Sequence, residues 1–139
     1  MPARPDDPVA ANKAMVRAHY EAMVNAFDAD AIRAQVADDF YDHQAGRALG
    51  ADDTIAHARA LQAAFDNLRV SIDDIVAEGD RVAVRATWRG VHRGPFRGLA
   101  PSGRPVTFSG MVFWRLDKGR VAERWATVDF SSLTASSAG

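Results

Sequence analysis

The chain has 139 residues, 47% of them hydrophobic and 25% charged, the profile of one soluble globular domain with a single core. Its net charge of −1 draws it as a whole neither to nucleic acid nor to an anionic membrane, and no apolar run approaches the ~18 residues of a membrane span. It has no cysteine, which excludes a disulfide framework, a thiolate metal site and a cysteine nucleophile. "MPARPDDPVA" lacks the apolar stretch of a signal peptide, so a cytoplasmic location is expected. The preference for Ala and Arg suggests a GC-rich bacterial gene.

The pattern is helical over residues 8–66 and strand-like over 69–130. Val16, Tyr20, Met23 and Phe27 recur at three- and four-residue spacing, predicting an amphipathic helix from about Pro8, a suitable first-turn residue, to Phe27. A short second helix, "DADAIRAQVA", takes Asp28 or Asp30 as its cap. "DDFYDHQAGRALG" reads as an irregular connector carrying Tyr41, Asp42 and His43. A third helix follows Gly50, capped by Asp52 or Asp53, with Ile55, Ala58, Leu61, Gln62 and Phe65 inward.

The second half alternates with period two. "NLRVSIDDIVAEGDRVAVRATWRGVH" is two strands joined at Glu78-Gly79-Asp80. Val82, Val84, Ala86 and Trp88 share one face of the second strand; Arg81, Arg85 and Arg89 share the other. "RGPFRGLAPSGRP", with three glycines and three prolines, is a loop. "VTFSGMVFWRL" and "RVAERWATVDF" form a hairpin across Asp117-Lys118-Gly119, read as a three-residue loop with Gly119 left-handed. Leu116 then faces Arg120. Even-numbered residues Val112 and Trp114 share a face with Ala122, Arg124 and Ala126, and odd-numbered Met111, Phe113 and Arg115 share the other with Glu123 and Trp125. Arg115 and Glu123 are diagonal neighbours of opposite charge. Helices followed by an antiparallel sheet define an α+β fold: about three N-terminal helices on one face of a curved sheet. Both sheet faces are apolar, so the face without helices asks for a second subunit. One domain spans 8–133, with 1–7 and 134–139 as flexible tails.

The strand half resembles the SnoaL-like polyketide cyclase group (ester cyclase family) of the nuclear transport factor 2-like superfamily. The resemblance is carried by "EGDRV", by Gly90, His92 and Gly94 as G-x-H-x-G, by Pro101-Ser102-Gly103, and by Glu123 and Trp125 as E-x-W. The order of helices and connector extends it over residues 8–133. It implies a cone of three helices closing a bent antiparallel sheet over an apolar cavity, often a homodimer through the convex sheet face, and ring closure by intramolecular aldol chemistry without cofactor. Relatives on this fold isomerise steroids, open epoxides, dehydrate or only bind ligands. In the aldol cyclases the acid/base aspartate follows the position of Trp125 and a histidine faces it from the preceding strand. Ala126 and Val112 stand in those places here.

His43 is then the candidate proton carrier, since an imidazole titrates near neutrality, with a loop histidine bonded to a backbone carbonyl as the structural alternative. Arg124, on the even face, is the candidate for holding an oxyanion, or a structural partner of a carboxylate on a neighbouring element. Asp129 reaches the cavity only through a bulge near Thr127, and otherwise caps the strand end. Tyr20, Trp88, His92, Phe108, Val112, Trp114 and Ala126 are the expected substrate-binding set. His19 and His57 fall among exposed helix residues and carry no role. The four histidines offer no metal-ligand spacing, so neither metal nor other cofactor is expected. The arginines at 81, 85, 89, 93 and 97 read as a solvated strand face or subunit contact rather than a nucleic-acid site. The expected partner is a hydrophobic small molecule. The expected activity is a cofactor-independent cyclase or isomerase acting on a polyketide-like substrate, the alternatives being a non-catalytic binding protein or an epoxide hydrolase-like enzyme.

Overall fold

The computed structural model describes residues 7–138, with side chains for 7–134. Helix α1 spans Pro8–Tyr20 and is capped by Asp7, whose carboxylate accepts the Val9 N–H at 2.9 Å. Val16 and Tyr20 are buried as their spacing predicts. His19 is buried with them, which corrects the exposed placement: it lies three residues after Val16, on the same stripe. The expected single helix changes type after Tyr20. Glu21–Asn25 form a π turn, pinned to the sheet by Asn25, whose amide donates to the Val70 carbonyl at 3.0 Å and accepts the Val70 N–H at 2.8 Å. Helix α2 (Ala29–Gln35) is capped by Asp28. Helix α3 (Ala51–Ala64) begins at Gly50 with no side-chain cap. Asp52 and Asp53 stand instead in its first turn, where they complement the helix dipole. Ile55, Ala58 and Leu61 face inward, and Phe65 starts a strand rather than ending the helix.

The expected connector is also corrected. Its first half is a strand, β1 (Val36–Asp42), followed by a two-residue strand β2 (Arg47–Ala48). The remaining strands are β3 (Phe65–Glu78), β4 (Arg81–His92), β5 (Pro105–Asp117) and β6 (Arg120–Asp129). They form one open, curved six-stranded sheet in the order β2-β1-β6-β5-β4-β3. Every pair is antiparallel except β1 with β6, which is parallel. The N-terminal helices pack on the concave face, as the α+β reading requires. Residues 1–6 of the expected N-terminal tail, and residue 139, lie outside the described residues. At the other end a helix, α4, runs through Ser131–Ala138.

The β5–β6 turn is tighter than read from sequence. Asp117 pairs with Arg120, leaving a two-residue turn in which Lys118 and Gly119 are both left-handed (φ 51° and 76°), the geometry of a type I′ hairpin. Such a turn pairs odd with even positions. A bulge between Arg115 and Leu116 then leaves Ala122 without a partner, and from Arg115↔Glu123 to Ser109↔Asp129 even residues face even ones. The predicted face assignment therefore holds although the turn differs, and Arg115 sits directly opposite Glu123 rather than diagonally.

The loop after β4 folds back on its own strand. The His92 N–H donates to the Arg104 carbonyl at 3.0 Å, and the Gly103 N–H donates to the His92 carbonyl at 2.8 Å. Gly94 packs so close to the end of α3 that an added Cβ would lie 2.5 Å from the Ala63 carbonyl oxygen. Gly94→Ala is expected to destabilise the fold by about 1–3 kcal/mol, the usual range for overpacking, read as a lower urea midpoint at unchanged slope.

Candidate functional site

Between the helices and the concave sheet face lies a cavity of about 110 Å³. One end is aromatic: Trp88 stacks on Phe108 at 5.6 Å and 10°, and Phe108 meets Phe130 at 5.2 Å. Phe96 and Arg97, from the loop after β4, line that end too, with the Arg97 guanidinium 4.7 Å from the Phe130 ring centre. The opposite end is polar, lined by His19, Tyr20, Asp42, Gln44, His57 and Arg124. A ligand in this space is therefore held flat at one end and by hydrogen bonds at the other.

Arg124 is the centre of the polar end. Strand register places it directly beside Asp42, and Nη1 donates to the two Asp42 carboxylate oxygens at 3.0 and 3.3 Å and to the Gln44 amide oxygen at 2.9 Å. The two side chains are only 16% and 10% exposed, so each charge relies on the other for compensation. Asp42 is fixed in turn by the backbone N–H groups of Gln44 and Ala45, at 2.8 and 3.3 Å. All of these contacts fall on Nη1. Among the described residues, Nε and Nη2 of Arg124 have no protein partner, and neither is an occluded atom. They form one edge of the planar guanidinium, a two-donor fork matched to a carboxylate or an enolate.

Two ring-bearing polar residues, Tyr20 and His19, line the cavity with Arg124. The Tyr20 hydroxyl accepts a hydrogen bond from the Trp114 indole N–H at 3.4 Å, which leaves its own O–H as a donor. Burial raises the Tyr20 pKa above the ordinary phenol value, so it stays protonated. His19 packs edge-on against Trp114 at 5.3 Å, and its Nδ1 lies 2.9 Å from the Gln35 amide oxygen. With an acceptor there, the proton sits on Nδ1 and the Nε2 lone pair is free. Burial, with a smaller contribution from the Arg124 charge, lowers the His19 pKa to about 4. The pKa of His57, an exposed lining residue, is also lowered, first by desolvation and then by Arg124.

The remaining sequence candidates are distributed differently. Trp88, Phe108 and Trp114 line the cavity beside Tyr20 and Arg124. Val112 and Ala126 lie directly opposite each other, as the aldol-cyclase pattern requires, but neither is among the lining residues; Val112 is packed into the core. His92 is fully buried behind Phe65, 5.3 Å from that ring, and away from the rim. His43 is the first residue of the turn after β1 and lies with the convex-face residues of β6: its Nε2 meets Glu123 at 2.6 Å and its ring stacks on Trp125 at 4.6 Å. Asp129 caps α4 by accepting the Ser131 N–H at 2.9 Å. This hydrogen bond lowers its pKa, and the regular β5–β6 ladder has no bulge near Thr127 to turn it inward. Asp42, Gln44, His19, His57 and Thr54 are polar lining residues that sequence reasoning missed, and Arg97, read as solvated or at a subunit contact, lines the cavity as well. The alternation of Phe40 and Asp42 was the one signal for β1, diluted by Asp38-Asp39.

The arginines at 85 and 93 are paired with Asp73, Asp74 and Asp66, and Arg81 covers the Trp125 ring. No group of three or more His, Asp or Glu among the described residues is placed to hold a metal ion. No helix among them is long and apolar enough to cross a membrane.

Residues 14–136 match the family model of the SnoaL-like polyketide cyclases, and the chain belongs to that family. Among solved structures it is similar to a protein from Jannaschia assigned as a SnoaL-like polyketide cyclase, at 26% identity and TM-score 0.81 over 98% of this chain and 96% of that one. It is similar to IdmH of Streptomyces antibioticus, assigned as a polyketide cyclase, at 27% identity and TM-score 0.78 over 92% and 99%. It is also similar to AclR of Streptomyces galilaeus, assigned as a hydroxylase, at 26% identity and TM-score 0.76 over 91% and 80%. No curated protein matches the chain in sequence.

The depressed His19 pKa gives a signed expectation for stability. The unfolded chain takes up a proton on this imidazole near pH 6.5, whereas the folded one does so only near pH 4. The His19 contribution to stability is therefore complete above pH 6.5, falls between 6.5 and 4, and levels off below. The loss amounts to about 3 kcal/mol, at 1.36 kcal/mol per pKa unit. In urea titrations across this window, His19→Phe should show an acid limb shallower than the parent by about that amount.

Proposed function

We propose that the protein is a cofactor-independent cyclase or isomerase acting on a hydrophobic, oxygenated, polyketide-like small molecule. The observation that carries this reading is the unpaired Nε–Nη2 edge of Arg124, opening onto an aromatic-lined cavity. Family membership and the similarity to IdmH supply the cyclase class. Stacking against Trp88, Phe108 and Trp114 would hold a reactive chain in a near-closed conformation, and orientation of this kind lowers a ring-closing barrier by several kcal/mol. As an enolate or alkoxide develops, the Arg124 fork and the Tyr20 hydroxyl donate to its oxygen.

Proton movement falls to His19. Gln35 orients the imidazole, as a third group orients the base in a catalytic triad, and Nε2 accepts the proton. A conjugate acid as strong as this returns the proton readily, so the same group can protonate the product. Asp42, the only carboxylate among the lining residues, is committed to Arg124 and to two backbone N–H groups. It anchors the fork rather than attacking, and an epoxide-opening site would need a further carboxylate in the cavity. The partner on the convex face is a second copy of the chain, supported by Met111 and Phe113, which are 65% and 54% exposed on neighbouring positions of one strand face.

Arg124→Lys keeps the charge opposite Asp42 but removes the planar fork. With linear poly-β-ketone thioester analogues as substrates, it should lower kcat by roughly 10²–10³-fold, as loss of an oxyanion donor does, with little change in thermal midpoint. Equal turnover by parent and variant would overturn the role of Arg124, and a ligand recovered intact from the parent enzyme would mark a binding protein. In sedimentation velocity the parent is expected as a dimer and Phe113→Glu as a monomer. A parent sedimenting as a monomer would refute the proposed contact.

A further inference from the structure

We propose that His43 is a positioning residue for the cavity, acting from the opposite face of the sheet. The inference rests on the reading of Arg124 as the oxyanion donor. It begins with the weakness of the β1–β6 ladder. Val36 pairs with Val121, but the next pairs are Tyr41 with Glu123 and Asp42 with Arg124, so five steps along β1 match only two along β6. A strand this irregular is not held in register by its backbone alone. Its last residues are tied to β6 by the hydrogen bond from the His43 N–H to the Arg124 carbonyl at 2.8 Å and to β2 by the pairs Tyr41–Ala48 and Asp42–Arg47, and they are held by side-chain clips on both faces.

The two clips join Asp42, the last residue of β1, and His43, the first residue of the turn after it, to neighbouring residues of β6. On the concave face Asp42 holds Nη1 of Arg124. On the convex face Nε2 of His43 meets Glu123 at 2.6 Å, and Glu123 is itself held by Nε of Arg115, across the β5–β6 ladder, at 2.8 Å. The His43 ring also lies nearly parallel to Trp125, 9° from coplanar. The outer clip is thus anchored to the regular part of the sheet, through Arg115 and Trp125, whereas the inner anchors of Asp42 besides Arg124 are the Gln44 and Ala45 N–H groups, which lie in the turn that His43 opens. Because the Asp42 and His43 Cα atoms are one peptide apart, displacing His43 displaces Asp42. That rotates the guanidinium whose free edge addresses the ligand.

The test separates aim from stability. Two probes of similar shape are titrated by fluorescence: 2-naphthoate, whose carboxylate requires the fork, and neutral 2-naphthol, which requires only the aromatic end. The parent is expected to prefer naphthoate. His43→Ala should lose about tenfold in naphthoate affinity, the scale of one charge-assisted hydrogen bond, with naphthol binding within a factor of two. His43→Gln, whose amide can still donate to Glu123, should recover most of the loss, and Glu123→Gln should reproduce it from the other side of the clip. Equal weakening of both probes, or no change in naphthoate, would overturn the positioning role. A parent with no preference for naphthoate would overturn the reading of Arg124, so the two failures are distinct.

Discussion

The ion pair between Asp42 and Arg124 organises the polar half of the molecule. Removing both side chains from water carries a desolvation cost of several kcal/mol per ion. It is offset only because the carboxylate collects two backbone N–H groups and the guanidinium collects a second acceptor, Gln44. That requirement ties the end of β1 to β6 and orients the turn that follows Asp42. It also leaves a cation in the cavity wall that adds to the desolvation by which burial lowers the pKa of His19 and His57. The geometry is more constrained than a solvated salt bridge, because either partner alone would be a charge without compensation.

The aromatic half works on different physics. Trp88, Phe108, Phe130 and Phe96 contribute area and shape, and their ring contacts continue into the core through Phe65. A cavity of about 110 Å³ is smaller than those that enclose drug-sized ligands. A multi-ring product would therefore displace the Phe96–Arg97 side of the cavity, the part carried by a loop rather than by the sheet. Rigid aromatic walls on strands and an adjustable rim on a loop are a common division of labour in binding sites.

The long strands were legible because alternation is sustained over ten or more residues, as in β4, where Val82, Val84, Ala86 and Trp88 are all buried. The helical stripe was legible for the same reason at a different period. β1 was not, since it is short, carries Asp38 and Asp39, and pairs along its other edge with a strand about 80 residues away, while its neighbour in sequence, β2, has only two residues. Without β1 the sequence puts His43 at the site, whereas the strand makes its neighbour Asp42 the inward residue. His19 was missed because a polar residue on a helix reads as exposed unless its partner, here Gln35 on α2, is known. Arg124 was identified because its face was set by hairpin parity, which survived an error in the turn.

That survival traces to Ala122. The type I′ turn alone would point Glu123 and Trp125 into the cone and Arg124 to the outside, because a one-residue slip inverts a strand. The unpaired Ala122 reverses the inversion. Turn and bulge are therefore a matched pair, and sequence drift in this hairpin is constrained in length as well as in chemistry. A one-residue insertion or deletion between Asp117 and Glu123 exchanges the chemistry of the two sheet faces, whereas compensated changes leave it intact. Relatives could then vary in hairpin length while keeping the same residue in the cavity, so matching sites across them calls for counting sheet faces rather than residues.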